Sequence, residues 1–144
     1  MNIFEFEKLI KQGELEKALK YLKEDIKTAE HYNDLLKNAN LQESSLIYES
    51  IQIISGLYGV FVVAKKILET ERSNIEDRKY LEIKNKGEKN FTSTSAKKEA
   101  SYTAYDYKRL ENLIDGYVEQ TYKNVSTCQS LLSFHKEAIK GMIE

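Results

Sequence analysis

The sequence predicts an all-α protein, and three observations support this fold class. No proline occurs in the 144 residues, apolar residues recur at spacings of three and four over most of the chain, and capping or stop residues separate these stretches. Because every residue then keeps its backbone N–H, long uninterrupted helices are possible. We expect an elongated, oligomeric helical bundle that has two long antiparallel helices and a shorter N-terminal helical pair.

The N-terminal part of the chain predicts a helical hairpin. Asn2 precedes a short apolar-periodic stretch and has a glutamate three residues later, which is the pattern of a capped helix start. Gly13 favours a left-handed stop. Apolar residues over 15–36 then form one stripe on a second helix. We expect residues 1–40 to form one unit, and residues 41–144 a second unit built as a hairpin of two long helices.

The third predicted helix carries the most apolar segment of the chain. Asn40 and Glu43 offer a capped start. Apolar residues between positions 46 and 68 occupy two adjacent stripes that leave little of the helix circumference polar. Such a helix must be covered on more than one side, and an oligomer covers it easily. The sequence therefore predicts an oligomer interface formed by Ile54, Tyr58 and Phe61.

Two alternatives stay open for this segment. One is a strand, because Ile-Gln-Ile-Ile and Val-Phe-Val-Val have high β-propensity. The other is a membrane helix, because Lys65 and Lys66 close the apolar run as flanking charges would. The uncharged run from Ser50 to Ala64 has 15 residues, which is short of the roughly 18 expected of a spanning helix. We favour a buried helix without membrane contact.

A polar segment leads from the third helix into the last one. Residues 69–80 continue the helix but are nearly all polar. The stretch 85–95 is rich in Gly, Asn, Ser and Thr and predicts an exposed loop. From Ala96 onward the apolar residues are again spaced by three, four and seven, which predicts one helix that runs to near the end of the chain.

Composition and motifs argue against catalysis. The sequence has no Gly-rich phosphate loop, no Gly-x-Ser-x-Gly elbow and no His-Glu-x-x-His. His31, His135 and Cys128 are widely spaced, so we expect neither a metal site nor a cofactor. A single cysteine allows no disulfide within the chain, and the start lacks a basic region followed by an apolar one. We therefore expect a cytoplasmic protein that is not an enzyme.

The formal net charge of −1 hides a basic central segment. Residues 61–109 carry 12 basic and 8 acidic side chains, a surplus of 12 − 8 = 4 positive charges. Tyr80 follows the basic pair 78–79, and Tyr102 and Tyr105 lie between two further basic pairs. Single-stranded nucleic acid is bound by this combination, because cations neutralise phosphates and flat rings stack on bases. Two alternatives stay open: solvated lysine-rich faces, and a core position for Tyr102 and Tyr105.

These parts, in this order, resemble the phage recombination mediator family, the UvsY-like proteins that help load a strand-exchange recombinase onto DNA coated by single-strand-binding protein. The similarity covers about residues 42–143. It consists of a long helix ending in cations, a polar loop, a Ser-Ala-x-x-Glu helix start at 95–99, and a final long helix from Tyr107 to Ile139. The resemblance implies an all-helical, multi-chain assembly without a cofactor. It also implies single-stranded DNA as the ligand, with the recombinase and the single-strand-binding protein as partners.

The resemblance and the charge pattern together select one group of candidate binding residues. The predicted nucleic-acid-binding residues are Lys65, Lys66, Arg72, Arg78, Lys79, Tyr80, Lys97 and Lys98. Two other functions fit the same sequence: a phage-encoded protein that binds and inhibits a host defence enzyme, and a structural coiled-coil protein without a ligand. Replacement of Arg78 and Lys79 by Glu discriminates them, because only a DNA-binding protein would lose its ligand.

Overall fold

The computed structural model describes residues 1–38, 44–87 and 89–143, and these residues form five α-helices and no strand. The predicted all-α fold class is confirmed, and the strand alternative for the third helix is wrong. The helices are α1 (Ile3–Lys11), α2 (Leu15–Asn38), α3 (Ser44–Asn85), α4 (Ser93–Thr103) and α5 (Tyr105–Ile143). The capped start predicted at Asn40 and Glu43 lies outside the described residues.

The residues next to α1 set both of its ends. The Asn2 side chain accepts a hydrogen bond from the N–H of Phe4 at 3.1 Å, as its cap position predicts. After α1 the chain turns at Gly13, whose φ is +75° and whose N–H donates to the Ile10 carbonyl at 3.1 Å. Two carbonyls at the end of α1 are thereby satisfied, because the next N–H donates to Leu9. Glycine suits this turn because other residues are strained at positive φ.

The polar segment is shorter than predicted. α3 has 42 residues, which is about 63 Å of helix, and it ends at Asn85. The Thr92 hydroxyl oxygen then accepts from the N–H of Ser95 at 3.1 Å and caps α4. The helix therefore begins at Ser93, three residues before the predicted start at Ala96, because the Ser/Thr run supplies a cap as well as a loop.

A slight break at Ala104 divides the predicted last helix into α4 and α5. Ala104 has φ −97° and ψ 10°. Its N–H still donates to Ala100 at 3.3 Å, and its carbonyl accepts from the N–H of Lys108 at 3.1 Å. Ala104 therefore closes α4 with its N–H and starts α5 with its carbonyl.

The chain divides into two compact units, and both are discontinuous in sequence. Unit 1 comprises Met1–Tyr21 and Val63–Ile114, and unit 2 comprises Leu22–Val62 and Asp115–Glu144. Each unit combines segments from both sides of position 40. The predicted division into residues 1–40 and 41–144 therefore does not separate the compact units.

Unit 2 is a three-helix arrangement of parts of α2, α3 and α5. In unit 2, the ring centres of Phe61 and Tyr117 lie 5.5 Å apart. α3 runs antiparallel to α5. One apolar cluster contains residues from all three helices. The cluster consists of Leu36, Ile47, Ile54, Cys128 and Leu132.

The burial of α3 in unit 2 corrects the predicted oligomer interface. Ile54 and Phe61 are 0% exposed, so the chain itself covers them completely. They belong to the core of one chain and leave no surface for another subunit. Tyr58 is half-buried, and its ring centre lies 6.1 Å from that of Tyr122. Because apolar residues occur on nearly all sides of α3, the sequence did not indicate which side the rest of the chain covers.

Unit 1 packs the polar half of α3 beside α4 and the start of α5. Ala96, Ala100 and Ala104 are buried and follow one another at four-residue spacing, so one side of α4 is made of small side chains. The Tyr107 hydroxyl donates to the Ile10 carbonyl at 3.1 Å and attaches α5 to the end of α1. α4 is therefore held with its alanine side inward.

Among the described residues, α3 is long and apolar enough to cross a membrane, as judged by length and composition. Its most apolar stretch of 18 residues has a mean hydropathy of 1.6, and 28% of that stretch is buried within the chain. The uncharged run of 15 residues in the sequence is too short to show this, but a membrane-spanning stretch of 18 residues can contain two charged side chains.

Candidate nucleic-acid interface

The predicted binding residues all lie in unit 1, on α3 and α4. Tyr80 of α3 and Lys97 of α4 line one open cleft of about 540 Å³. Glu76 and Asp77 line the same cleft. Two carboxylates beside one ammonium group do not attract a phosphate, so this cleft is a poor anion site.

Arg72 is an internal ion-pair residue. Its Nε donates to Glu111 at 2.7 Å, its Nη1 donates to Glu76 at 3.1 Å, and its side chain is 20% exposed. The hydrogen bond to Glu111 raises the pKa of Arg72 further. Burial opposes ionisation of Glu111, but hydrogen bonds from Lys108 and Arg72 outweigh it and lower the pKa of that carboxyl. Arg72 therefore joins α3 to α5 and has little charge left for a phosphate.

Arg78 and Lys79 also have acidic partners. Arg78 donates to Glu71 at 3.1 Å but is largely exposed. Lys79 lies 3.5 Å from Glu82 and 3.8 Å from Glu99, and its side chain is mostly buried. Glu71 is buried at 8% exposure, so the exchange of Arg78 to a phosphate would leave a buried carboxylate without this ion pair. Lys79 would have to leave two carboxylates.

The remaining predicted residues of α3 differ in accessibility. Lys66 is exposed and lies 3.0 Å from Glu69, and Lys65 is half-buried. The Tyr80 ring is half-buried and packs edge-on against Phe91, with ring centres 6.3 Å apart. Tyr80 is therefore engaged within the fold, although the sequence placed it as a base-stacking ring.

A different group of exposed residues combines cations with rings. We define the basic–aromatic stripe as Lys98, Tyr102, Tyr105 and Arg109. Tyr102 is 72% and Tyr105 is 60% exposed, which removes the alternative that these rings belong to the core. Lys98 and Tyr102 are four residues apart on α4, and Tyr105 and Arg109 are four residues apart on α5, so each pair lies on one side of its helix and the stripe extends over about 16 Å. Lys97 lies beside the stripe and is also exposed.

The cations at the stripe are not neutralised by the part of the chain that the structure describes. Lys97, Lys98 and Arg109 form no ion pair with any residue in 1–38, 44–87 or 89–143. Both lysines are among the binding residues predicted from the sequence, whereas Arg109 is not, and the sequence left open whether the two tyrosines are exposed. One signal was available, because Ala96, Ala100 and Ala104 mark the buried side of α4 and the stripe lies opposite.

The described residues hold no group of three or more His, Cys, Asp or Glu side chains that could bind a metal ion. Cys128 is buried, and this burial raises the pKa of its thiol.

No protein-family model, no curated protein and no solved structure matches this chain. The resemblance to the recombination mediator family therefore stays a prediction.

Proposed function

We propose that this chain is a non-enzymatic protein that binds single-stranded DNA on the basic–aromatic stripe and acts as a recombination mediator. The observation that carries the ligand class is the exposure of Tyr102 and Tyr105 between the cations Lys98 and Arg109. Exposed rings stack on unpaired bases, and neighbouring cations neutralise the phosphates. The narrower role in loading a recombinase is supported by the sequence resemblance alone.

The stripe favours a single strand over a duplex. An unpaired base offers its flat surface to a tyrosine ring, whereas a base inside a duplex is stacked on both sides. Over about 16 Å, the stripe spans no more than about five nucleotides, since successive phosphates of one strand are at least about 3.4 Å apart. We therefore expect modest affinity for each chain and little sequence preference.

Salt dependence tests the ionic part of the proposal. The two cations of the stripe, Lys98 and Arg109, predict a slope of log K against log salt of about −1.4 for a single strand. The measurement is fluorescence anisotropy of a labelled oligothymidylate titrated with the protein at several salt concentrations. Absence of binding at low salt would contradict the proposal.

Variants at the stripe test its location. Tyr102→Ala should weaken binding by about 1–3 kcal/mol, or about 5- to 150-fold in Kd, and Tyr102→Phe should bind normally because it keeps the flat ring. Lys98→Gln should make the salt slope shallower by about 0.7. Lys123→Gln, at an exposed lysine in unit 2, is the matched control and should change nothing. Equal effects of Lys98→Gln and Lys123→Gln would show that binding is not located on the stripe.

One observation favours a second candidate, a protein-binding role. The end of α5 exposes large apolar side chains, among them Phe134, Met142 and Ile143. Exposed apolar patches are common at protein interfaces. This candidate would be favoured over the first if the protein does not bind DNA and if replacement of Arg78 and Lys79 by Glu leaves its behaviour unchanged.

A further inference from the structure

The side of α3 that faces away from the core forms a regular and largely exposed surface. We define the Gly56–Gly59 face by the residues that follow one another at spacings of three and four along this side. They are Glu49, Gln52, Gly56, Gly59, Val63 and Lys66. Five of them are exposed, and Val63 is half-buried. All six lie on the single helix α3, so helical geometry alone places them on one side, opposite the buried Ile54 and Phe61.

The two glycines are not required by the fold of one chain. A Cβ atom added at Gly56 or Gly59 would meet nothing within 4 Å, and both residues have ordinary helical backbones. Glycine is the least favoured residue in a helix interior apart from proline. Small residues at such positions allow a second helix to approach closely. The face therefore has the features of a surface that contacts a second helix.

We infer that α3 pairs antiparallel with α3 of a second copy of this chain through the Gly56–Gly59 face. Around a two-fold axis between positions 57 and 58, Gly56 opposes Gly59 and Gln52 opposes Val63. The same register sets Glu49 against Lys66, so the charges at the two ends are complementary. In a parallel pair, Glu49 would instead face Glu49 of the other copy and Lys66 would face Lys66, which is unfavourable. An isologous contact requires a face that is complementary to itself under this symmetry.

The flanking residues fit the same register. Ile53 and Val60 border one side of the face, and Ser55 and Val62 border the other. The two-fold axis sets each border against the same border of the partner, so Ile53 lies near the partner's Val60 and Ser55 lies near the partner's Val62. Ile53 and Val60 are half-buried and Val62 is exposed in one chain, so the contact would cover apolar surface that the fold leaves accessible. Lys66 gives up only an exposed pair with Glu69, and exposed pairs of this kind are weak.

A second copy fits this face better than a lipid bilayer does. The opposite side of the same helix is packed in the apolar cluster with α2 and α5, so a spanning α3 would have to leave its own core. The face runs for about 25 Å and is smaller than the roughly 800 Å² per partner of a standard stable interface. We therefore expect a dimer that dissociates on dilution.

Sedimentation of the full chain over a range of concentrations tests the inference. The wild type should shift from monomer to dimer mass with increasing concentration. Gly56→Leu combined with Gly59→Leu should remain a monomer and keep its helical circular dichroism, because leucine favours helix and the chain has space at both positions. Gly116→Leu is the matched control, since Gly116 is also exposed, helical and without neighbours within 4 Å. It should dimerise like the wild type.

Disulfide formation tests the direction of the pair. Positions 49 and 66 oppose each other in the antiparallel register, whereas two copies of position 49 lie about 25 Å apart. A mixture of Glu49→Cys and Lys66→Cys chains should form disulfide-linked dimers, and neither variant alone should do so. Four results would overturn the inference: a wild type that stays monomeric, dimerisation of the double-leucine variant, cross-linking of Glu49→Cys with itself, or flotation of the wild type with phosphatidylcholine–phosphatidylglycerol vesicles.

Discussion

Replacement of Arg72 separates a structural role from a DNA-binding role. Arg72→Met removes the hydrogen bonds to Glu111 at 2.7 Å and to Glu76 at 3.1 Å. Hydrogen bonds to charged groups contribute about 1.5–3 kcal/mol each, and Glu111 keeps Lys108 at 2.8 Å. We therefore expect a loss of about 2–4 kcal/mol in the free energy of unfolding. At about 2–4 °C per kcal/mol, the melting temperature should fall by roughly 4–16 °C.

The assays are urea denaturation, thermal melting and the oligothymidylate titration. Arg72→Met combined with Glu111→Leu should recover most of the lost stability, because the second change removes the buried carboxylate that has lost Arg72. The folded pKa of Glu111 is below its usual 4.5, so its contribution is present above pH 4.5 and is lost as the pH falls through the folded pKa. The gap between wild type and Arg72→Met should therefore narrow in acid. A variant with wild-type stability and no DNA binding would refute this reasoning.

Three further changes test other contacts. Gly13→Ala places a side chain on a residue whose φ is +75° and should lower the urea-derived free energy of unfolding by about 1–2 kcal/mol. An unchanged urea midpoint would contradict the positive φ of this turn. Asn124→Leu removes the 2.8 Å hydrogen bond to the buried Asn33 and should cost about 1–3 kcal/mol in the same assay. Burial and the hydrogen bond to Glu30 raise the pKa of Tyr117 to about 12, so thermal stability should fall from pH 10 to 12 as the unfolded tyrosine ionises first. Tyr117→Phe should lose that part of the alkaline decline.

The features that the sequence predicted correctly depend on neighbouring residues. The cap at Asn2 needs only the next few amides, and the stop at Gly13 needs only a residue that tolerates positive φ. The fold class follows from spacing that persists over many residues. Such features are set by local chemistry, which a single sequence contains in full.

The features that it missed depend on residues far apart in the chain. Arg72 and Glu111 are separated by 39 positions, so their pairing could not be seen in the local surplus of positive charge. Ile54 and Phe61 were assigned to an interface because α3 is apolar on nearly all sides, and periodicity then gives no direction. The packing of α2 and α5 decides which side is covered.

Ion pairing within the chain limits what the basic central segment can bind. Of the 12 basic residues in 61–109, at least six lie in ion pairs between described residues, namely Lys66, Arg72, Arg78, Lys79, Lys86 and Lys108. One chain therefore offers a short stripe and modest affinity, whereas a dimer offers two stripes to the same strand. A second contact gains from effective concentration only if the strand reaches both stripes. The monomeric Gly56→Leu, Gly59→Leu variant should match the wild type on a very short oligonucleotide and bind a long one about tenfold or more weakly in the same titration. Equal weakening on both lengths would mean that the Gly56–Gly59 face contacts DNA directly.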